Sequence, residues 1–81
     1  MHSVSTLTSR EIEVLYLLAA GYSSKLIAQK LGIANRTAEK HIQNIYTKLL
    51  VPNAPAAATF SIQAQIIDPN KVEVIRTTPA A

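Results

Sequence analysis

The sequence predicts an all-α domain of four helices, followed by a short extended or disordered C-terminal tail. Apolar residues recur at helical spacing in three successive segments, and a fourth segment is rich in alanine and isoleucine. Turn-forming and helix-breaking residues separate these segments: Gly21, Gly32, Pro52 and the run at 68–70. We therefore expect a disordered N-terminus at 1–5, one domain at 6–68 and the tail at 69–81.

The first helix should begin after Thr8. Thr8 and Glu11 have the spacing of a capping box, in which each side chain accepts a hydrogen bond from the other residue's backbone amide. The helix should end near Ala20, because Gly21 tolerates the left-handed conformation that closes many helices.

Two further helices should follow in close succession. Ser23 or Ser24 can cap the second one, and Gly32 closes it. Asn35 is the predicted N-cap of a third helix at about 35–49, which Pro52 should terminate because proline disfavours helix before it.

The third helix is predicted to be amphipathic. Its apolar face comprises Ala38, Ile42, Ile45 and Leu49. The opposite face carries long hydrogen-bonding side chains, namely Arg36, Lys40, Gln43 and Thr47, with Glu39 and Asn44 at its edges.

Positive charge is concentrated around this helix. The chain has a net charge of +3, yet the segment 25–48 alone has +4, with five basic residues against Glu39. Clustered positive charge is typical of proteins that bind a polyanion, although by itself it also fits a merely solvated helical face.

The fourth helix should begin at Pro55 and continue to about Ile67. Phe60, Ile62 and Ile66 have two interpretations that the sequence leaves equally open. They either form a dimer interface or pack on the first helix.

Two short helices joined by a glycine-containing turn, the second of them basic, make a helix-turn-helix. A set of residues in and around this motif occurs in a characteristic order and spacing: Leu7, Thr8, Arg10, Glu11, Glu13, Val14, Leu15, Gly21, Ile27, Ala28, Leu31, Ile33, Thr37, His41, Asn44, Ile45, Lys48, Leu49, Val51 and Asn53. At these positions the sequence resembles the LuxR/GerE-type DNA-binding domains of bacterial transcription regulators.

The resemblance implies a four-helix domain that binds DNA as a dimer, commonly through its fourth helix. Some positions depart from the family's usual residues. The family usually has glycine where Leu50 stands, so Pro52 is expected to end the third helix here. It commonly has a basic residue where Glu39 stands, so the target preference of this domain should differ.

The predicted function is sequence-specific binding of duplex DNA by the output domain of a bacterial transcription regulator, with the third helix in the major groove. The candidates for base readout are Arg36, Glu39, Lys40, Gln43 and Thr47. The candidates for phosphate contact are Lys25, Thr37, Asn44 and Lys48. The expected partners are double-stranded DNA, a second copy of the chain and RNA polymerase. The expected location of the protein is the bacterial cytoplasm, at the nucleoid, and no membrane is expected to be involved.

Two other function classes compete with this prediction. A protein-interaction domain could use the same fold through its alanine-rich fourth helix. An enzyme is a poor fit, since the chain has no cysteine and no paired carboxylates, phosphate-binding glycine loop or metal-ligand cluster. His41 has no second ligand at a useful spacing, so no catalytic residue, metal site or cofactor is predicted.

Overall fold

The computed structural model describes residues 7–72, which form four α-helices and one short 3₁₀ helix and contain no β-strand. The helices are α1 (Ser9–Ala19), α2 (Ser24–Leu31), α3 (Asn35–Leu49), α4 (Ala54–Gln63) and the 3₁₀ helix Pro69–Lys71. The all-α class and the four predicted helices are confirmed. The predicted disordered N-terminus and residues 73–81 of the predicted tail lie outside the described residues. None of the described helices is long and apolar enough to cross a membrane.

The start of α1 is closed by the predicted capping box. The Glu11 amide donates to Thr8 Oγ1 at 3.1 Å, and the Thr8 amide donates to Glu11 Oε1 at 3.0 Å. Two amides that the helix cannot satisfy internally are thereby paired.

The start of α3 differs from the prediction. The N-cap is Ala34, which has an extended backbone and makes no side-chain hydrogen bond to the helix. Asn35 is the first helical residue. The Ala38 amide donates to the Ala34 carbonyl at 3.0 Å, which fixes Ala34 as the cap. The turn between α2 and α3 therefore has three residues, 32–34, and α3 has the predicted range.

Each of the four α-helices in the described segment is followed, within two residues of its end, by a residue with positive φ. These residues are Gly21, Gly32, Leu50 and Gln65. At the end of α3, the Leu50 amide donates to the Thr47 carbonyl at 3.3 Å and the Val51 amide to the Tyr46 carbonyl at 3.0 Å. This pair of hydrogen bonds is the Schellman motif, and equivalent pairs close the other three helices.

The predicted role of Pro52 as the terminator of α3 is therefore wrong. The chain has already turned at Leu50, where φ is 59° and ψ is 45°, two residues before the proline. Leucine is strained in this conformation, because its Cβ approaches the following carbonyl oxygen. The Schellman hydrogen bonds hold it there.

The fourth helix is shorter than predicted. It begins at Ala54, because the Asn53 side chain accepts a hydrogen bond from the Ala56 amide at 2.9 Å, and Pro55 is its second residue. It ends at Gln63, since Gln65 has a φ of 60° and reverses the chain. The following segment continues into the 3₁₀ helix, an element that the sequence analysis did not include.

The core lies where α3 crosses the other helices. The predicted apolar face of α3 is confirmed, and each of its four residues is buried. The remaining buried core residues on the other elements are Val14, Leu15, Leu18, Ile27, Ala28, Ala57 and Ile67. Beyond α4, the Asp68 amide donates to the Tyr16 hydroxyl at 2.9 Å and ties the end of the domain to α1.

Candidate nucleic-acid interface

The outward face of α3 carries all five side chains predicted to read bases. Arg36, Glu39, Lys40, Gln43 and Thr47 are all exposed, while the opposite face of the same helix is buried. A helix turns by about 100° per residue, so Arg36, Lys40, Gln43 and Thr47 project in similar directions. They form one polar ridge, which we call the α3 ridge.

Glu39 lies at one edge of the α3 ridge. Together with Gln43 and Tyr46 it lines an open depression of about 520 Å³, whose far side includes Ser23 and Ser24 at the start of α2. Burial raises the pKa of the Tyr46 hydroxyl, which favours its neutral form at this site. The depression thus joins the start of α2 to the exposed face of α3.

The predicted phosphate-contacting residues do not form one patch. Lys25 is exposed in the first turn of α2 and Thr37 in the first turn of α3. Asn44 and Lys48 are half-buried, farther along α3 and on the side opposite to Glu39. Thr37 is seven positions before Asn44 and therefore projects from the same side of α3. Three of the four residues thus share one side of the α3 ridge, and Lys25 lies apart from them on α2.

Lys48 is bound to a buried acidic residue on α1. Its Nζ lies 2.7 Å from Oε1 of Glu11, whose side chain is 5% exposed. Burial acts to raise the pKa of the Glu11 carboxyl. The hydrogen bonds from Lys48 and the Thr8 amide, with the charges of Lys48 and His41, outweigh burial and lower that pKa below its ordinary value of 4.5.

This ion pair was missed by the sequence analysis, which assigned Glu11 only to the capping box. Its partner is 37 residues away, so no local spacing connects the two. The position of Lys48 on α3 nevertheless indicated a contact with another helix. Lys48 lies beside the apolar face of α3, at the edge where a neighbouring helix would pack.

His41 is half-buried on α3, and it contributes to the electrostatic environment of Glu11. No group of three side chains that could hold a metal ion occurs within residues 7–72.

The residues predicted for a dimer interface are placed on different sides of α4. Phe60 and Ile62 are each 37% exposed, but they are two positions apart and project from opposite flanks of the helix. Ile66 follows the end of α4 and lines a second depression with Ile62 and Tyr16. The inward residues Ala57 and Ser61 are small and completely buried.

A short helix, a three-residue turn and a longer helix with an exposed basic ridge define a helix-turn-helix domain, supported here by α1 and α4. The family model of bacterial regulatory proteins of the luxR family matches residues 5–61. The chain belongs to this family, and the resemblance seen in the sequence is confirmed.

Similar curated proteins are the oxygen regulatory proteins NreC of Staphylococcus haemolyticus (strain JCSC1435) and Staphylococcus aureus (strain JH9), which are 37% and 36% identical over 62 residues. Each match covers 76% of this chain and 29% of the relative's length. The family identifies the domain as a DNA-binding domain of a transcription regulator.

Proposed function

We propose that this domain binds duplex DNA sequence-specifically, with α3 in the major groove, as the output domain of a bacterial transcription regulator. One observation carries the proposal: α3 has a buried apolar face and, opposite to it, the exposed α3 ridge. The major groove is about 12 Å wide and admits one α-helix. A helix held on one side by the core can present its other side to base edges.

The chemistry of the α3 ridge fits base recognition. Arg36 and Lys40 can donate to O6 and N7 of guanine. The amide of Gln43 can both donate to and accept from adenine, and the hydroxyl of Thr47 can bond to several bases or contact the thymine methyl group with its own methyl.

Phosphate contacts beside the ridge and on α2 would orient α3 in the groove. Lys25 and Thr37 lie in the first turns of their helices, where free backbone amides also attract anions. Thr37, Asn44 and Lys48 share the side of α3 opposite to Glu39, and Lys25 adds a contact from α2. A phosphate contact by Lys48 requires its ammonium to bind Glu11 and phosphate together, or to leave Glu11.

We further propose that two copies bind together through α4 and the segment after it, using Phe60, Ile62 and Ile66. The depression shared by Ile62 and Ile66 gives this surface an apolar concave part, and exposed Phe60 adds a second apolar contact. Contact with RNA polymerase and a location at the bacterial nucleoid stay predictions.

The test is selection of bound duplexes from a random pool by the 81-residue chain, followed by affinity measurements over a range of salt. If about four phosphates are neutralised, the logarithm of the association constant should fall with the logarithm of salt concentration at a slope of about −3.6. Two selected half-sites about one helical turn apart would support the dimer, whereas a single unpaired site would count against it.

The matched variants are Lys40→Ala on the α3 ridge and Lys71→Ala on the 3₁₀ helix, both exposed. Lys40→Ala should relax base preference at one position, and Lys71→Ala should leave every preference unchanged. Absence of duplex binding at low salt, together with tight association to another protein, would identify a protein-interaction domain and overturn the proposal.

A further inference from the structure

We infer that Glu39 selects cytosine at one position of the DNA site, an inference that rests on the proposed duplex binding. Glu39 is an exposed carboxylate at the edge of a ridge that is otherwise basic or neutral. It shares the depression beside the start of α2 with Gln43, which lies one turn later on α3. Glu39 is therefore positioned to enter the groove with the ridge.

The fold itself makes no use of this carboxylate. The other three carboxylates within residues 7–72 have partners, which are Lys48 for Glu11, Arg10 for Glu13 and the Asn70 amide for Asp68. Glu39 has neither an ion pair nor a hydrogen bond with any described residue, and Arg36, three positions earlier on the same helix, does not pair with it. Its charge is thus available to a bound molecule.

A free carboxylate on a DNA-binding surface opposes phosphate contact, because both groups are anionic. It becomes favourable only where it meets a hydrogen-bond donor on a base edge. The donors in the major groove are the N4 amino group of cytosine and the N6 amino group of adenine.

Cytosine is the better match of these two bases. Adenine presents the N7 acceptor beside its amino group, whereas the major-groove edge of cytosine offers its amino donor without a neighbouring N7. Guanine N7 and O6 and thymine O4 are acceptors and would repel a carboxylate. The chemistry of Glu39 therefore favours one base and disfavours the other three.

The position of this cytosine follows from helix geometry. Glu39 and Gln43 are four residues apart, which corresponds to about 6 Å along α3. Since base pairs are spaced by about 3.4 Å along the duplex, the base read by Glu39 should lie within about two base pairs of the base read by Gln43.

The experiment compares random-pool selection by the wild-type chain, Glu39→Ala and Glu39→Gln. Wild type should require cytosine at one position of the site. Both variants should lose that requirement while retaining the preferences at the remaining positions. Glu13→Gln is the matched control, because it removes an exposed carboxylate from α1 and leaves α3 unchanged.

A second measurement uses the selected duplex with that cytosine replaced by thymine or by N4-methylcytosine. Wild-type affinity should fall by on the order of tenfold, whereas Glu39→Ala should bind the original and changed duplexes equally. If Glu39→Ala and Glu39→Gln instead select the wild-type site and bind all duplexes more tightly, Glu39 only repels phosphate and the inference is wrong. Failure of the wild-type chain to bind any duplex would instead overturn the proposed function itself.

Discussion

Oε1 of Glu11 lies 2.7 Å from Nζ of Lys48, so the first turn of α1 is bonded to the last turn of α3. The same oxygen accepts the Thr8 amide of the capping box at 3.0 Å. One buried carboxylate therefore closes the start of α1 and fixes the far end of the helix that is proposed to read DNA.

Glu11→Gln should destabilise the domain through the loss of this ion pair. Glutamine preserves the capping-box geometry, because its carbonyl oxygen can still accept the Thr8 amide. Lys48 can still donate to that oxygen, but the carboxylate charge that attracts its ammonium is lost, and we expect the free energy of unfolding to fall by about 1–3 kcal/mol in urea titrations.

Glu13→Gln supplies the control for that measurement. Glu13 lies on the same helix and binds Arg10 at 3.1 Å, but both side chains are largely exposed. Such a surface pair contributes about 0–1 kcal/mol. Equal losses in the two variants would show that burial of Glu11 has no special effect on stability.

The contribution of Glu11 should also depend on pH. Its carboxyl pKa is lower in the folded chain than its ordinary value of 4.5, so the unfolded chain binds the proton more readily. The stabilisation is complete above 4.5 and is lost as the pH falls through the lowered folded-state pKa. The difference in unfolding free energy between wild type and Glu11→Gln should therefore shrink on acidification, and a difference that grows would contradict this assignment.

The parts of the fold that the sequence revealed are those governed by local spacing. The buried face of α3 and the exposed α3 ridge follow from helical periodicity alone. The Thr8 and Glu11 capping box was also visible, because its two residues are only three positions apart.

Features that depend on backbone geometry or on distant contacts were not visible. A side-chain rule favoured Asn35 as a cap, yet the three-residue turn places Ala34 there. Leucine rarely adopts a left-handed conformation, so the sequence predicted that Pro52 would end α3, although the family usually has glycine at the position of Leu50. For the interface, the sequence supplied the candidate residues, but only the packed helices show that Lys48 is bound to Glu11.

Leu50→Gly should stabilise the domain. Leu50 has a φ of 59° and is 84% exposed, so glycine relieves backbone strain and sacrifices little apolar burial. Glycine also makes the unfolded chain more flexible, which offsets part of the relieved strain. We expect the free energy of unfolding to rise by about 0.5–1 kcal/mol, measured by urea unfolding.

Gly32→Ala is the reciprocal test of the same strain. A Cβ at Gly32 would meet nothing within 4 Å, so its φ of 68° is the main cost of the substitution. The free energy of unfolding of this variant should be about 1 kcal/mol lower than that of the wild type. Stabilisation by both substitutions would show that backbone strain does not govern these helix ends.

Ser61→Ala should stabilise the domain by removing an unsatisfied hydroxyl. Ser61 is completely buried on α4, and its Oγ has no hydrogen-bond partner in the part of the chain that the structure describes. An unpaired buried polar group costs about 1–3 kcal/mol, and alanine keeps the Cβ that packs in the core. Thr59→Ala, at an exposed position of the same helix, measures the separate gain from helix propensity. Thermal and urea unfolding should show a larger rise in stability for Ser61→Ala than for Thr59→Ala. Equal rises in the two variants would mean that the Ser61 hydroxyl is hydrogen-bonded in solution, for example to a trapped water molecule.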